Sequence, residues 1–222
     1  MAIKKRLVSP RQKMINLMYI ILMAMLALNI STEVLNGFSI VEESLNRTTD
    51  NSSKENESMY TDFESLMKKN PEKVEAWFAK AKAVKQMSDS LYNFAQQLKV
   101  AIVKKADGEK GNVYNIENKD NLEAAGEVML SPIGGKGGKL FNAINSYRTR
   151  IVSMVADPQQ KKIIESNLST KVSRQSRLLG KNWQEYMFEN MPVAAAITLL
   201  SKLQSDVRYA EGEVLHTLVS NI

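Results

Sequence analysis

Few side chains in this sequence are placed to do chemistry, and the one whose position asks for it is Arg11. Ser9-Pro10 reads as a helix start, with Ser9 as the cap and Pro10 in the first turn. Arg11 therefore lies inside a helix, and Ile15, Met18, Tyr19 and Leu22 continue its face. An arginine beside so apolar a face must reach lipid headgroups or find a carboxylate. It cannot release its proton at physiological pH. The apolar stretch itself contains no Asp, Glu or His. Proton-driven work at this helix would need a titrating carboxylate from another protein, with Arg11 as its counter-charge. The plainer alternative is one more positive charge flanking a membrane span.

Other candidate chemistry is sparse. His216 is the single histidine, among apolar neighbours of a C-terminal helix, where a surface or core-edge role is expected. There is no cysteine, hence no disulfide, no lipid-attachment thiol and no thiol catalysis. No residue set has metal-ligand spacing. Gly134-Gly135-Lys136-Gly137-Gly138-Lys139 invites a phosphate-loop reading, but that motif needs four residues before Gly-Lys and then Ser or Thr. Gly134 has three before Gly138-Lys139, and Leu140 follows, so a mobile loop is expected. No catalytic residue, metal or cofactor is assigned, and an enzyme is not expected.

The element that must position Arg11 is the uncharged stretch Met14 to Thr32, 19 residues long. As a helix it would span about 29 Å, close to the hydrocarbon thickness of a bilayer. Lys4, Lys5, Arg6, Arg11 and Lys13 precede it, and no acid appears before Glu33. The positive end belongs in the cytoplasm. This divides the chain into a cytoplasmic tip (1–13), a transmembrane helix (14–32) and an outer, periplasmic domain (33–222). A cleavable signal peptide is the rival reading. A cut after Ala27 or Ala24 would put Met25 or Leu22 at the outer site, where a small residue is needed. The net charge of +6 belongs almost wholly to the tip, since residues 33–222 hold 25 basic and 24 acidic residues. That points to anionic headgroups rather than nucleic acid.

Beyond the span, Leu35, Phe38, Val41 and Leu45 recur at helical spacing, and no proline occurs between Pro10 and Pro71. One long helix leaving the membrane is the simplest reading. Asn46 to Ser58 is wholly polar and fits an exposed helix or a frayed joint. Asn70-Pro71 starts a helix carrying Val74, Trp77, Phe78, Ala81, Val84, Leu91, Phe94, Leu98 and Ile102. Val113 to Ile116, between glycine turns, fits a short strand of a β-hairpin. Ser131 to Gly138 reads as a flexible loop, and Lys139 to Val155 as a helix. Asp157-Pro158 caps another, with Ile163, Ile164, Leu168 and Val172. Asn190-Met191-Pro192 opens the last, whose stripe runs from Val193 through Ile197, Leu200, Leu203, Val207, Ala210 and Val214 to Leu218. Trp77 and Trp183 are expected as core anchors. The expected fold is mainly all-α, an elongated antiparallel bundle continuing a single transmembrane helix. The stripe persists nearly to Ile222, so further domains are expected beyond it.

The run Ser9-Pro10-Arg11-Gln12-Lys13-Met14-Ile15-Asn16-Leu17-Met18-Tyr19, followed by Ala24 to Asn29 (AMLALN), resembles the start of the GldM/PorM family of gliding-motility and type IX secretion proteins. Phe188 to Ala196 (FENMPVAAA) and Leu199 to Val207 (LLSKLQSDV) match it again near the other end. The resemblance implies a homodimer whose transmembrane helices sit inside a ring of a polytopic GldL/PorL-type partner. Proton flow there would drive motion, which the periplasmic domains carry to outer-membrane secretion components. It also implies that Arg11 meets a membrane-buried glutamate of the partner, with Tyr19 facing the same region.

Three functions follow as expectations. The first is a motor subunit driven by the proton-motive force in the bacterial inner membrane. One charge crossing 100 mV yields about 2.3 kcal/mol, and each pH unit about 1.4 kcal/mol more. The second is a periplasmic sensor on a single-pass anchor, which 13 cytoplasmic residues leave without an output domain. The third is a passive envelope scaffold.

Overall fold

The computed structural model describes residues 8–222, the side chains of residues 26–28 excepted. The expectations for Lys4, Lys5 and Arg6 lie outside the described residues. Helices α1 (Pro10–Leu28), α2 (Thr32–Lys69) and α3 (Pro71–Asp107) come first, then short α4 (Ala124–Leu130), α5 (Gly137–Met154), α6 (Pro158–Asn167), α7 (Arg174–Leu178) and α8 (Trp183–Phe188). Helix α9 (Val193–Val219) closes the order. At about 1.5 Å per residue, α2 and α3 are each about 55 Å long.

The single long helix expected from Met14 onward is instead two. Residues 29–31 are non-helical, and Ser31 Oγ accepts from the Val34 amide at 3.3 Å, starting α2 afresh. A serine that satisfies an orphan amide favours a new helix over continuation of the old one. The uncharged stretch is thereby divided, and among the described residues no helix is long and apolar enough to cross a membrane. The start of α1 is as expected: the Gln12 amide donates to Ser9 Oγ at 3.2 Å.

Asn46 to Ser58 lies inside α2, helical throughout, which decides between the two readings of that segment. Asn70 alone joins α2 to α3, with Pro71 at the first position of α3 and no side-chain cap bond from Asn70. Asp157 accepts from the Gln159 amide, and Pro158 opens α6. That helix stops at Asn167, so Leu168 caps it and Val172 falls beyond it. Asn190 turns the chain into α9 with φ 51°.

Helix α9 is buried nearly all round, because α2 covers one side and α3 the other. The contacts between α2 and α9 ascend together: Phe38 with Thr198, Glu42 with Ser201, Asn56 with Arg208. These two helices run parallel and α3 opposes both, so the expected antiparallel packing holds for successive long helices but not for the pair α2 and α9. The physical reason is the connection: α3 brings the chain back to the end where α2 begins, the excursion out along α5 and back along α6 ends there too, and α9 starts from it. Trp183 is buried against Phe141 (centroids 5.9 Å) and Phe188 (6.1 Å). Trp77 is only half-buried on the core surface.

Two loop expectations change. The described residues contain no strand; Asn112 and Asn115 form one isolated bridge. Asp107 organises that loop instead, its carboxylate accepting from the Glu117 and Asn118 amides at 2.9 Å each. Burial alone would raise the Asp107 carboxyl, but these donors and the Asn118 side chain hold it below its usual value. Residues 131–136 form a hydrogen-bonded turn, and Gly137 and Gly138, expected in the loop, open α5. The Gly135 amide donates to the Ser131 carbonyl at 3.1 Å, and a Cβ on Gly135 would lie 2.4 Å from that oxygen.

Candidate functional site

Helix α1 carries the residues singled out from sequence. Successive residues turn by about 100°, so Ile15, Met18 and Leu22 fall within about 40° of Arg11, and Tyr19 about 80° away. Every described side chain from Val8 to Met25 is exposed. Ile15, Met18, Tyr19 and Leu22, with Ile21 and Met25, line one open apolar surface. Arg11 stands at its N-terminal end and, among the described residues, forms no ion pair. The structure thus brings the apolar members together and leaves the arginine without an acid from its own chain.

A second constellation was not legible as a site: a polar seam between α2, α3 and α9. Near the start of α2, Lys99 Nζ donates to Ser201 Oγ at 2.7 Å and lies 3.4 Å from Glu42 Oε1. Gln204 Oε1 completes the cluster at 3.3 Å. The Lys99 side chain is 4% exposed. Its burial lowers the ammonium below its usual pKa, and Glu42 opposes that only in part.

About three helical turns further along, Glu211 gathers donors from α2 and α9. Tyr60 Oη donates at 2.7 Å, Arg208 Nη1 at 2.8 Å and Asn56 Nδ2 at 3.3 Å. Arg208 Nη1 also meets Asp89 Oδ1 of α3 at 2.8 Å, and its guanidinium lies over the Tyr92 ring. Burial raises the Glu211 carboxyl against the pull of Tyr60 and Arg208. The same burial, with Glu211 alongside, raises the Tyr60 phenol. Gly212 makes room for this layer, since a Cβ there would lie 2.8 Å from Asn56 Oδ1. Tyr147 of α5 joins by its hydroxyl, which donates to the Val207 carbonyl at 3.1 Å beside Ser88.

Buried polar layers of this kind fix one register, because sliding any helix strands a charge in the core. A signal for them existed: Gln204 and Glu211 occupy stripe positions between Leu200, Val207 and Val214 at spacings of four and three. Glu42, rather than Val41, faces the core of α2; Val41 is 50% exposed. His216 is exposed, 3.8 Å from Glu55.

Together these features define a long, register-locked helical rod with a separate apolar helix at one end. The family model of the GldM N-terminal domain matches residues 33–221, and the chain belongs to the GldM family. Membership ties it to the machinery of gliding motility and type IX secretion. No curated protein matches the chain.

Proposed function

We propose that the chain is a subunit of an inner-membrane motor that turns the proton-motive force into mechanical work for secretion and gliding. Helix α1 is its membrane element, and the bundle of α2 to α9 carries motion outward. The observation that carries this reading is α1 itself: apolar, exposed at every described side chain, with Arg11 and Lys13 at its start and no acid. From Met14 to Leu28 the helix rises about 22 Å. The three non-helical residues 29–31, extended, add about 10 Å, which supports a crossing of one bilayer. Non-helical backbone at that depth is tolerated where protein covers it, in keeping with a homodimer inside a ring of a GldL/PorL-type partner. Arg11 then neutralises a carboxylate of that partner in its charged state, and the proton moves on the partner.

Replacement of Arg11 by Ala tests this. The complex is expected to assemble, because the apolar face is intact, while secretion and gliding stop; Arg11→Lys keeps the charge and should retain part of both. Co-purification with the membrane partner and a secretion assay read the two arms. Normal secretion by the alanine variant would remove Arg11 from the mechanism, and secretion that survives a collapsed proton gradient would leave a passive scaffold.

A further inference from the structure

Four of the most exposed apolar side chains outside α1 stand on loops or at the end of short α7, at one end of the bundle. They are Tyr114 (85% exposed), Ile133 (92%), Leu178 (80%) and Leu179 (71%). That end is where α2 and α9 both begin. The amides of Val193 and Ala194 donate to the carbonyls of Asn121 and Lys119 at 3.0 Å, which ties the Tyr114 loop there. Ile133 follows α4, whose first amide donates to Asn121 Oδ1 at 2.9 Å. Leu178 and Leu179 lie just before Lys181, which pairs with Glu189 at 2.5 Å, three residues short of Pro192.

Positive charge concentrates in the segment that leaves this end along α5 and returns to it along α6. From Lys136 to Lys181 there are ten lysines and arginines against two acids, a net +8. Residues 33–222 sum to only +1, so the rest of the domain is net −7. Arg174 and Arg177, beside the two leucines, are exposed and form no ion pair among the described residues. The distance to α1 is short. Phe38, level with Thr198, lies six residues into α2, about 9 Å from its start.

Apolar tips flanked by free arginines match a bilayer surface, where such side chains enter the acyl boundary and cations take lipid phosphates. An acidic protein partner would account for the arginines but not for bare apolar tips at three separate places in the chain. We propose that this end of the domain rests on the anionic surface of the bilayer that holds α1, with Leu178 and Leu179 inserted and Arg174 and Arg177 on phosphate headgroups. The inference rests on α1 being the membrane helix.

The absence of cysteine allows a clean test on the full chain. Leu179→Cys carries an environment-sensitive fluorophore, and Met18→Cys, labelled likewise, reports on α1. Each is reconstituted with a lipid-borne quencher in phosphatidylcholine vesicles, with or without about a third phosphatidylglycerol. The Leu179 label is expected to be quenched several-fold more in the anionic vesicles. That gain should disappear in Arg174→Glu/Arg177→Glu, and in about 0.5 M salt, where the Debye length falls to about 4 Å. A quenched Met18 label with an unquenched Leu179 label overturns the lipid contact alone. An unquenched Met18 label overturns the membrane role of α1, and this inference with it.

Discussion

Glu211 is the residue on which the interior depends most. It is 1% exposed and accepts from Tyr60, Arg208 and Asn56 at once. Removing one partner from a buried ionic cluster costs about 3–5 kcal/mol, because the remaining groups stay desolvated. Arg208 keeps Asp89, so Glu211→Ala should fall at the low end, about 3 kcal/mol. Urea unfolding of the full chain measures it, and a loss within 0.5 kcal/mol, typical of an inert surface site, would refute the role. Arg11 stands out in the sequence because a charge at the edge of an apolar run breaks a pattern. Glu211 was overlooked because a carboxylate on a long amphipathic helix ordinarily faces water; only its place between Val207 and Val214 marked it as buried. Lys99 gave less warning, since the core stripe there reads through Leu98 and Ile102.

At the scale of elements, helix starts were the most legible feature. Ser9, Asp157 and the prolines at 10, 71, 158 and 192 all act locally, through one hydrogen bond or one fixed φ. Interruptions without proline or glycine were not. The break at residues 29–31 follows from a single serine acceptor, which the apolar periodicity on both sides obscures. The glycines of residues 134–138 carry an ambiguous signal. Glycine marks free backbone and close approach alike, and here Gly135 serves the second. Gly135→Ala must push its Cβ away from the Ser131 carbonyl, which should cost about 1–3 kcal/mol. Thermal unfolding reads this out; an unchanged melting temperature would mean the turn opens freely after all.

For the whole molecule, the stripes on α3 and α9 foretold a helical bundle, but periodicity carries no direction, so the parallel pairing of α2 with α9 follows only from the return along α3 and a closed excursion through α4 to α8. Rigidity is the property that the proposed transmission of motion would draw on. Thr48 points outward from the middle of α2, where proline removes the amide bond to Ser44 and clashes with the preceding turn. Thr48→Pro should lower stability by about 3 kcal/mol and uncouple the far end. Assembly through α1 is expected to persist while secretion fails, a pair of results that co-purification and export assays separate. The run of long helices is odd in number: outward along α2, back along α3, outward again along α9. A twist entering at Ser31 is therefore shared by three tied shafts before it reaches the opposite pole. Tied shafts resist torsion far better than a lone rod, much as a braided cable outperforms one strand.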